Sequence, residues 1–295
     1  MSTPTHPLDG ERPVTALLSE HSVTSLDVVH HADALAWLRA LPDEWADMML
    51  TSPPYDNLRA YKGYSFPFEV IAHEAYRVLK PGGVLVWVVG DATINGSETL
   101  TSFRQALYFV GSVGFKMHDT MIYEKNASSP NIHHPRYMQV FEYMFVLLKG
   151  DKPRVWNPQM RPNKLAGLSR GGPSQKMQRN GEKGRWGASD TYAAESLMGN
   201  IWTFNTGAAS RDDPEAFEHP APFPEALAER HILTWSNPGE LVVDFFMGSG
   251  TTAKVARSIG RRYAGCDISR EYVDIARQRL SSAYTLPLFD RVEVA

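Results

Sequence analysis

Length, composition and charge already place this chain in a broad class. Its 295 residues, 43% hydrophobic and 21% charged, are enough to bury a sizeable core, which excludes a mini-protein and a disordered chain. Its 30 basic and 33 acidic residues give a net charge of −3, so the chain as a whole has no basic bias toward nucleic acid. The single cysteine, Cys266, excludes an internal disulfide and a Cys-rich zinc site and predicts a reducing, intracellular setting.

The first half of the chain predicts alternating strands and helices. Residues 1–21 are polar and Pro-rich, lack the apolar centre of a signal peptide and are expected to form a flexible tail. The predicted elements that follow are a strand at 23–29, a helix at 34–41, a strand at 48–50, a helix at 68–79, a strand at 84–91 and a helix at 100–113. Because proline cannot continue a central strand, Pro53 and Pro54 stop the second strand and place Ser52 at its carboxyl end.

The second half predicts a hairpin and then a return to alternation. The β-rich runs at 116–126 and 141–150 are separated by loop residues instead of a helix, which predicts an antiparallel pair. The later predicted elements are a helix at 224–234, a strand at 240–244, a helix at 251–259, a strand at 262–267 and a helix at 271–281. The sequence therefore predicts an α/β fold with a mixed, mostly parallel sheet.

A basic insertion interrupts this alternation at residues 152–189. Prolines and glycines break every periodic pattern there, and the segment contains nine lysines and arginines against one acid, Glu182. Its local charge of 9 − 1 = +8 leaves −3 − 8 = −11 for the remainder of the chain. The whole-chain charge thus conceals one strongly basic region, and this region is where a polyanionic partner is expected.

The segment LVVDFFMGSGTTAKVA has the pattern of a nucleotide-cofactor turn. A buried strand leads into Gly248 and Gly250, whose small size lets the backbone approach a ligand at the N-terminus of the next helix. Asp267 follows at the end of the next strand, where a carboxylate can bind ribose hydroxyls. Gly248, Gly250 and Ala253 also satisfy the dinucleotide pattern, so this turn alone leaves nicotinamide cofactors and S-adenosylmethionine both open.

The segment TSPPY at 51–55 offers chemistry beyond the end of a strand. Ser52 supplies a hydroxyl, the Ser52 and Pro53 carbonyls have no competing ladder partners, and Tyr55 supplies a flat aromatic face. Such groups can hold an exocyclic amine by its two hydrogens while a nucleobase stacks on the ring. The alternative interpretation is structural, in which two prolines end a strand and Tyr55 packs on the surface.

Together these motifs resemble the amino-group DNA methyltransferases, in the branch where a TSPPY-type motif precedes the cofactor glycines. The resemblance spans residues 28–280 and depends on a fixed order of segments. In chain order, these segments are HADALAWLRALPDEWADMMLTSPPY, YEKN, FEYMFVLLKG, NIWTFNTG, HPAPFPEALAERHI, LVVDFFMGSGTTAKVARSIGRRYAGCDIS and YVDIARQRL. The resemblance implies a Rossmann-like S-adenosylmethionine-dependent methyltransferase fold, with residues 22–150 and 201–285 as the catalytic domain and residues 151–200 as a target-recognition region.

The resemblance also implies roles for individual residues. Asp33 would contact the adenine of S-adenosylmethionine, and Asp267 would hold its ribose. The other cofactor-binding residues that it implies are Thr51, His219, Pro220, Phe223, Pro224, Asp244, Phe246, Gly248, Gly250 and Thr251. The family usually has proline where this chain has Phe245, a departure that leaves the glycine turn intact and affects only local packing.

The implied catalytic segment consists of Ser52, Pro53, Pro54 and Tyr55. Serine at its first position is more typical of enzymes that methylate cytosine N4 than of those that methylate adenine N6, so we predict cytosine N4, with adenine N6 as the alternative. The target base would flip onto Tyr55, while Ser52 Oγ and the Pro53 carbonyl accept hydrogen bonds from its amine. Transfer would be direct, because Cys266 does not lie in a Pro-Cys pair suited to attack on a ring carbon.

Two other classes of function stay open from the sequence alone. A nicotinamide-dependent oxidoreductase depends only on the glycine turn and gives TSPPY no role. A non-catalytic DNA-binding module would not need the side chains of Ser52 or Tyr55. His133 and His134 are potential metal ligands, but no further ligand at suitable spacing supports a metal site, so none is predicted.

The partner that the resemblance implies is double-stranded DNA. The basic residues predicted to contact it are Arg59, Arg136, Arg161, Lys164, Arg170, Lys176, Arg179, Lys183 and Arg185. A homodimer and a cognate restriction endonuclease are left open. No apolar run approaches the roughly 20 residues that span a bilayer, so no membrane partner is expected, and the expected location is a bacterial-type cytoplasm in association with the nucleoid.

Overall fold

The computed structural model describes residues 22–54, 67–126, 136–168, 175–177, 183–185, 191–205 and 223–282. Within these ranges no helix combines the length and the apolar character that crossing a membrane requires. The helices are α1 (Ala34–Ala40), α2 (Phe68–Val78), α3 (Thr101–Tyr108), which a π-helical turn (Phe109–Val113) extends, α4 (Glu225–Trp235), α5 (Thr251–Ser258) and α6 (Arg270–Ser282). The strands are β1 (Val28–His31), β2 (Ala46–Thr51), β3 (Leu79–Val89), β4 (Thr93–Ile94), β5 (Ser97–Glu98), β6 (Lys116–Lys125), β7 (Phe141–Leu148), β8 (Met160–Pro162), β9 (Gln175–Met177), β10 (Lys183–Arg185), β11 (Glu195–Leu197), β12 (Ile201–Phe204), β13 (Leu241–Asp244) and β14 (Arg262–Asp267).

An eight-stranded sheet forms the centre of the protein, in the order β1-β14-β13-β2-β3-β7-β6-β12. Neighbouring strands are parallel except where β7 pairs with β3 and with β6. Every residue of β2 and of β13 is buried, which is the pattern of parallel strands covered on both faces. The predicted α/β fold with a mixed, mostly parallel sheet is therefore confirmed, and so is the predicted antiparallel pair, β6 and β7.

Helices cover both faces of this sheet. On one face α4, α5 and α6 share a core with the strands, in which Ile232 and Ala253 are fully buried. On the other face α1 and α2 pack against the strands through residues such as Trp37 and Ile71. The apolar residues of these helices recur at the helical period, so each helix presents one stripe to the sheet.

Two predicted boundaries differ from the structure for local reasons. The first strand begins at Val28 instead of at residue 23, because Asp27 adopts a left-handed backbone conformation with φ of 62° and turns the chain. The strand predicted at 84–91 already begins at Leu79, where it pairs with Ala46 before the segment KPGG bulges out of the ladder. KPGG therefore interrupts the strand's register without ending the strand.

The order of the chain across the sheet reverses between β13 and β2. From β13 the chain continues to its neighbour β14, whereas from β2 it continues to β3 on the opposite side. In open α/β sheets, ligands bind outside the carboxyl ends of the strands at such a switch point. The last residues of these two strands are Asp244 and Thr51, so the topology places a ligand crevice beside them.

The basic insertion is anchored to the sheet where it begins. Arg154 donates to Asp47 at 2.8 Å and to Glu240 at 2.6 Å, both at the amino ends of strands in the sheet. Strand β8, within the insertion, then pairs with β11, which follows the insertion, and the Met198 N–H donates to the Gln159 carbonyl at 3.0 Å. One of the nine basic residues in this segment is thus part of the scaffold.

Candidate active site

One carboxylate joins the two sides of the switch point. Asp244 Oδ1 accepts a 2.6 Å hydrogen bond from Thr51 Oγ1 and a 3.0 Å bond from the Phe246 N–H. Its Oδ2 accepts a 2.7 Å bond from Thr252 Oγ1, in the first turn of α5. Thr51 is 0% exposed, and Asp244 and Thr252 are each 1% exposed. These bonds fasten the residue before Ser52 to the strand and the helix that flank the glycine turn.

Burial alters the acidity of this carboxyl group. Removal from water raises the pKa of Asp244 from 3.8 to about 6, although the hydrogen bonds from Thr51, Thr252 and the Phe246 N–H favour the ionised form. The neighbouring Asp267 carboxylate raises the pKa of Asp244 further. At neutral pH the group is ionised, and its three donors replace the water that burial removed.

The glycine turn depends on both of its glycines. Gly248 and Gly250 have φ values of 52° and 83°, in the left-handed region that glycine adopts without strain. A Cβ atom on Gly250 would also lie 2.7 Å from Cβ of Ala276 on α6. On β14, a Cβ atom on Gly265 would lie 2.1 Å from the Asp244 carbonyl oxygen. The absence of side chains thus lets β14, the turn and α6 approach one another closely.

Asp267 holds the turn and keeps capacity for a ligand. Its Oδ2 accepts from the Gly248 N–H and its Oδ1 from the Ser269 N–H, both at 2.8 Å. Burial is the largest influence on this group and raises the pKa of Asp267 above its ordinary value. A carboxylate offers about four acceptor positions, and the backbone N–H groups of Gly248, Ser269 and Ile268 occupy three of them. The partly exposed group can therefore still accept a hydrogen bond from a ribose hydroxyl.

Asp33 lies at the same edge of the sheet. It follows β1, whose last residue, His31, is paired with Asp267 of β14. Asp33 caps helix α1, because its Oδ1 accepts a 2.9 Å hydrogen bond from the Ala36 N–H. Within the described ranges, Oδ2 accepts no hydrogen bond. Asp33, Asp267 and Asp244 thus lie at the carboxyl ends of three neighbouring strands, with an acceptor oxygen available at the first two.

An aromatic layer includes Trp87, the strand partner of Thr51. Ser52, which is partly exposed, directly follows Thr51, and Thr51 is paired with Trp87 on β3. The Trp87 ring contacts the rings of Phe245 and Phe246, at centroid distances of 6.2 and 6.4 Å. Phe245 is completely buried, so the residue that replaces the usual proline of the resembled family fills this layer.

A family comparison decides the class of protein. Residues 46–278 match the family model described as DNA methylase, of the N6/N4 type. The chain belongs to this family. The resemblance to amino-group DNA methyltransferases is therefore confirmed.

The names of the sequence relatives of this DNA methylase do not agree on one target base. The orphan methyltransferase M.BamHII of Bacillus amyloliquefaciens is 52% identical over 239 residues, which cover 80% of this chain and 89% of the relative. The DNA adenine methyltransferase YhdJ of Escherichia coli K12 is 29% identical over 266 residues, covering 86% of this chain and 82% of the relative. The family is thus clear, while the base is not fixed by these relatives.

Solved structures share the fold of the methylase. The cytosine-N4-specific PvuII DNA methyltransferase superposes with a TM-score of 0.65 and 20% identity, covering 90% of this chain and 87% of the other. A putative DNA modification methylase of Thermus thermophilus, complexed with S-adenosyl-L-methionine, gives a TM-score of 0.59 and 24% identity, covering 88% and 94% of the two chains. At identities of 20% and 24%, these comparisons show that the fold is shared.

The methylase brings most of the predicted cofactor residues to one crevice. Eight of them lie at the carboxyl ends of the parallel strands or in the turns that follow, namely Asp33, Thr51, Asp244, Phe246, Gly248, Gly250, Thr251 and Asp267. Phe223 packs partly buried against the core on the α4 face, and Pro224 directly precedes α4. His219 and Pro220 lie outside the described residues, as does Tyr55 of the catalytic segment.

The predicted DNA-contacting residues have mixed placements. Arg161 and Lys164 are exposed, and neither has an ion-pair partner in the part of the chain that the structure describes. Arg136 instead faces the hairpin of β4 and β5, where it donates to the Gly96 carbonyl and lies 3.8 Å from Glu98. Lys176, Lys183 and Arg185 lie in β9 and β10 and are described by their backbones only, while Arg59, Arg170, Arg179, His133 and His134 lie outside the described residues.

Sequence reasoning missed Thr252 and correctly set aside Cys266. The second threonine of GSGTT lies on the strand-facing side of the first turn of α5, a position that its polar character did not indicate. Cys266 is completely buried, its Sγ lies 3.6 Å from the Phe245 carbonyl oxygen, and burial raises the pKa of its thiol well above the ordinary value. A thiol that stays protonated in the core cannot act as a nucleophile, so its role is structural.

Proposed function

We propose that this protein transfers a methyl group from S-adenosylmethionine to the exocyclic N4 amine of cytosine in double-stranded DNA. The observation that carries the proposal is the 2.6 Å hydrogen bond from Thr51 Oγ1 to Asp244 Oδ1. It holds an amine-binding segment, Ser52 to Pro54, beside the glycine turn at the switch point of the sheet. Donor and acceptor of the methyl group would therefore meet in one crevice.

The cofactor is assigned to S-adenosylmethionine by family membership and by the chemistry of the donor set. Asp33 and Asp267 present acceptor oxygens suited to an adenine amine and a ribose diol, and the Gly248–Gly250 turn suits close approach by the methionine portion. Bound there, S-adenosylmethionine supplies an electrophilic methyl group on a sulfonium centre. The nicotinamide alternative gives the Ser52 segment no role.

The protein's part in the reaction is to orient a poor nucleophile. The lone pair of a cytosine amine is delocalised into the ring, so the amine needs hydrogen-bond acceptors that draw its nitrogen toward a pyramidal geometry. Ser52 Oγ and the Pro53 carbonyl oxygen are the acceptors we assign to this task. No residue of the chain becomes covalently attached, in keeping with the buried thiol of Cys266.

The target base must leave the duplex before these acceptors can reach it. Flipping costs a few kcal/mol, and stacking on an aromatic ring returns about 1 to 3 kcal/mol per base. Tyr55, which follows the two prolines, is the ring that we assign to this stacking. Trp87, which contacts Phe245, is the strand partner of Thr51 at the start of this segment.

Residues 151–200 are the proposed target-recognition region, and residues 22–150 with 201–285 the catalytic domain. Arg161 and Lys164 support this division, because both are exposed and have no ion-pair partner among the described residues. Phosphate contacts from such residues would give localised, salt-dependent affinity. The name of the 52% identical relative, an orphan methyltransferase, favours action without a cognate restriction endonuclease.

Adenine N6 is the second candidate target. It is favoured by the 29% identical relative whose name gives DNA adenine methyltransferase. Cytosine N4 is favoured by Ser52, the residue type more typical of cytosine enzymes. Both candidates use the same amine-binding acceptors, so the choice concerns the shape of the base pocket.

The test is to incubate the purified protein with unmethylated DNA and S-adenosylmethionine, digest the DNA to nucleosides and identify the product by mass spectrometry. We expect N4-methyldeoxycytidine, and its loss in Ser52→Ala and in Tyr55→Ala. Ser281→Ala, on the exposed side of α6, is the matched control. N6-methyldeoxyadenosine as the only product would show that adenine N6 is the target instead of cytosine N4. The absence of any methylated base would overturn the proposal.

A further inference from the structure

A buried arginine on α6 reaches the glycine turn from behind. Arg279 is 2% exposed, and its Nη1 donates to the Ser249 carbonyl at 2.6 Å, to Ser249 Oγ at 3.1 Å and to Thr251 Oγ1 at 3.3 Å. Its Nη2 donates to Glu225 Oε1 at 2.9 Å. A single side chain therefore contacts the turn, the start of α5 and the start of α4.

The contact to Glu225 extends this bracing to a second cofactor segment. Glu225 is the first residue of α4 and follows Phe223 and Pro224, the segment assigned to the methionine end of the cofactor. Lys254 of α5 donates to the same Glu225 oxygen at 2.8 Å. The carboxylate thus receives two cations, and α4, α5 and α6 are joined through Glu225.

Stability alone does not account for an arginine at this place. Burying a guanidinium costs several kcal/mol unless all of its donors are satisfied, and well-packed apolar residues often stabilise a core as well as a buried ion pair does. Arginine does offer a planar fork of five donors, which can hold several acceptors in one fixed arrangement. The acceptors here belong to two segments that face the same ligand, so the arrangement serves the geometry of the crevice.

We propose that Arg279 is a positioning residue for the cofactor. It fixes the orientation of the Ser249 carbonyl, and with it the peptide that precedes α5, and it sets the spacing between the turn and the Phe223–Pro224 segment. The methionine end of S-adenosylmethionine then enters a preformed cleft. Its affinity is higher because the protein does not have to become ordered on binding. This inference rests on the proposed function, because it assumes that S-adenosylmethionine binds at this turn.

A second buried arginine provides a matched control. Arg261 is 7% exposed and donates to the Ser236 carbonyl at 2.8 Å, to Ser236 Oγ at 3.2 Å and to the Ile259 carbonyl at 2.7 Å. These contacts lie beyond the opposite end of α5 and involve no segment of the crevice. Arg261→Lys therefore removes a guanidinium of similar burial with similar partners, away from the cofactor.

The experiment compares Arg279→Lys with Arg261→Lys in the full chain. Binding of S-adenosylhomocysteine, the demethylated product, is measured by isothermal titration calorimetry, together with the melting temperature and the DNA affinity. We expect Arg279→Lys to raise the Kd for S-adenosylhomocysteine at least about tenfold, the equivalent of 1.4 kcal/mol, and Arg261→Lys to change it less than twofold. The melting temperatures of both variants should fall by similar amounts, and DNA affinity should stay the same.

Kinetics separate positioning from a general loss of structure. In Arg279→Lys the KM for S-adenosylmethionine should rise about tenfold, while kcat at saturating cofactor stays within about twofold of the wild type. Equal changes in cofactor Kd for the two lysine variants would overturn the proposal. If Arg279→Lys does not fold, Glu225→Gln replaces it, with the same direction of change expected in Kd. A wild-type protein that binds no S-adenosylhomocysteine would instead contradict the proposed function itself.

Discussion

The hydroxyl of Thr51 donates a 2.6 Å hydrogen bond to Oδ1 of Asp244, and neither side chain is exposed by more than 1%. The two residues are 193 positions apart in the chain and terminate neighbouring strands. The bond therefore connects the strand end that precedes Ser52 with the strand end that precedes the glycine turn.

Removal of this donor should weaken both halves of the site. Thr51→Val keeps the shape of the side chain but deletes a hydrogen bond to a buried carboxylate, which costs about 1.5 to 3 kcal/mol of unfolding free energy. We also expect at least a tenfold loss of methyl transfer, since the residue before Ser52 is no longer fixed. Thr51→Ser retains the hydroxyl and should keep most of the activity. Urea unfolding and transfer of radiolabelled methyl groups measure the two effects, and full activity in Thr51→Val would contradict the coupling.

Asp244 should make the protein's stability depend on pH. Its folded-state pKa of about 6 lies above the ordinary 3.8, so the folded protein holds this proton more tightly than the unfolded chain. The stabilising contribution is therefore complete below about pH 4, is lost as the pH rises to about 6, and amounts to about 3 kcal/mol. Asp244→Asn removes this dependence and should be relatively more stable at pH 7.5 than at pH 4.5, although it disturbs the site.

The measurement for Asp244 is the free energy of unfolding at several pH values, for the wild type and for Asp244→Asn. The raised pKa of Asp267 acts in the same direction in both proteins, so the difference between their profiles reports Asp244 together with its electrostatic interaction with Asp267. Profiles that run parallel from pH 4 to pH 7 would show that the Asp244 carboxyl group is not perturbed in this way.

Two glycines at opposite ends of α5 should respond differently to alanine. Gly250→Ala introduces a strained φ of 83° and a Cβ only 2.7 Å from Ala276, and should cost about 2 to 5 kcal/mol. Gly260→Ala has a similar φ of 75° but open space around its Cβ, so it should cost about 1 to 2 kcal/mol. Thermal unfolding compares the variants, and Ala276→Gly should partly restore Gly250→Ala. Equal costs at the two positions would mean that the close approach to α6 does not matter.

The basic insertion should contain two kinds of basic residue, those that contact DNA and those that stabilise the fold. Arg161→Ala and Lys164→Ala should lower DNA affinity, and each lost phosphate contact should reduce the slope of log K against log salt by about 0.9. Arg154→Ala should leave this slope unchanged and lower the melting temperature, because Arg154 is paired with Asp47 and Glu240. Fluorescence anisotropy at several salt concentrations distinguishes these outcomes. A slope that falls only in Arg154→Ala would reverse the assignment.

Much of the architecture could be predicted because it depends on local patterns. The predicted strand at 262–267 has the observed bounds, since the short run from Tyr263 to Cys266 lies between Arg262, which follows a helix end, and Asp267. The alternation of strands and helices then predicts parallel strands, whose carboxyl ends lie at the same edge of the sheet. The family resemblance pointed to Asp33, Asp244 and Asp267, and the parallel arrangement is the physical reason why these residues lie at neighbouring strand ends.

The contacts that hold the site together could not be predicted. Thr252 and Arg279 are polar residues of amphipathic helices, and periodicity alone assigns such residues to the solvent side. In the fold both are buried and bind the strand end and the turn, respectively. Arg154 illustrates the same limit, because its charge suggested a partner outside the protein while its acidic partners lie at distant positions in the chain. Which residues form ion pairs and hydrogen bonds with each other is determined by tertiary packing.

The pairing of β8 with β11 has an evolutionary consequence. It joins the chain on both sides of residues 163–194, with Gln159 hydrogen-bonded to Met198, before the chain enters the edge strand β12. Loops that begin and end at such a junction tolerate changes in length and sequence. Under the proposed division of the chain, sequence preference can therefore diversify through residues 163–194 while the strands of the sheet are retained.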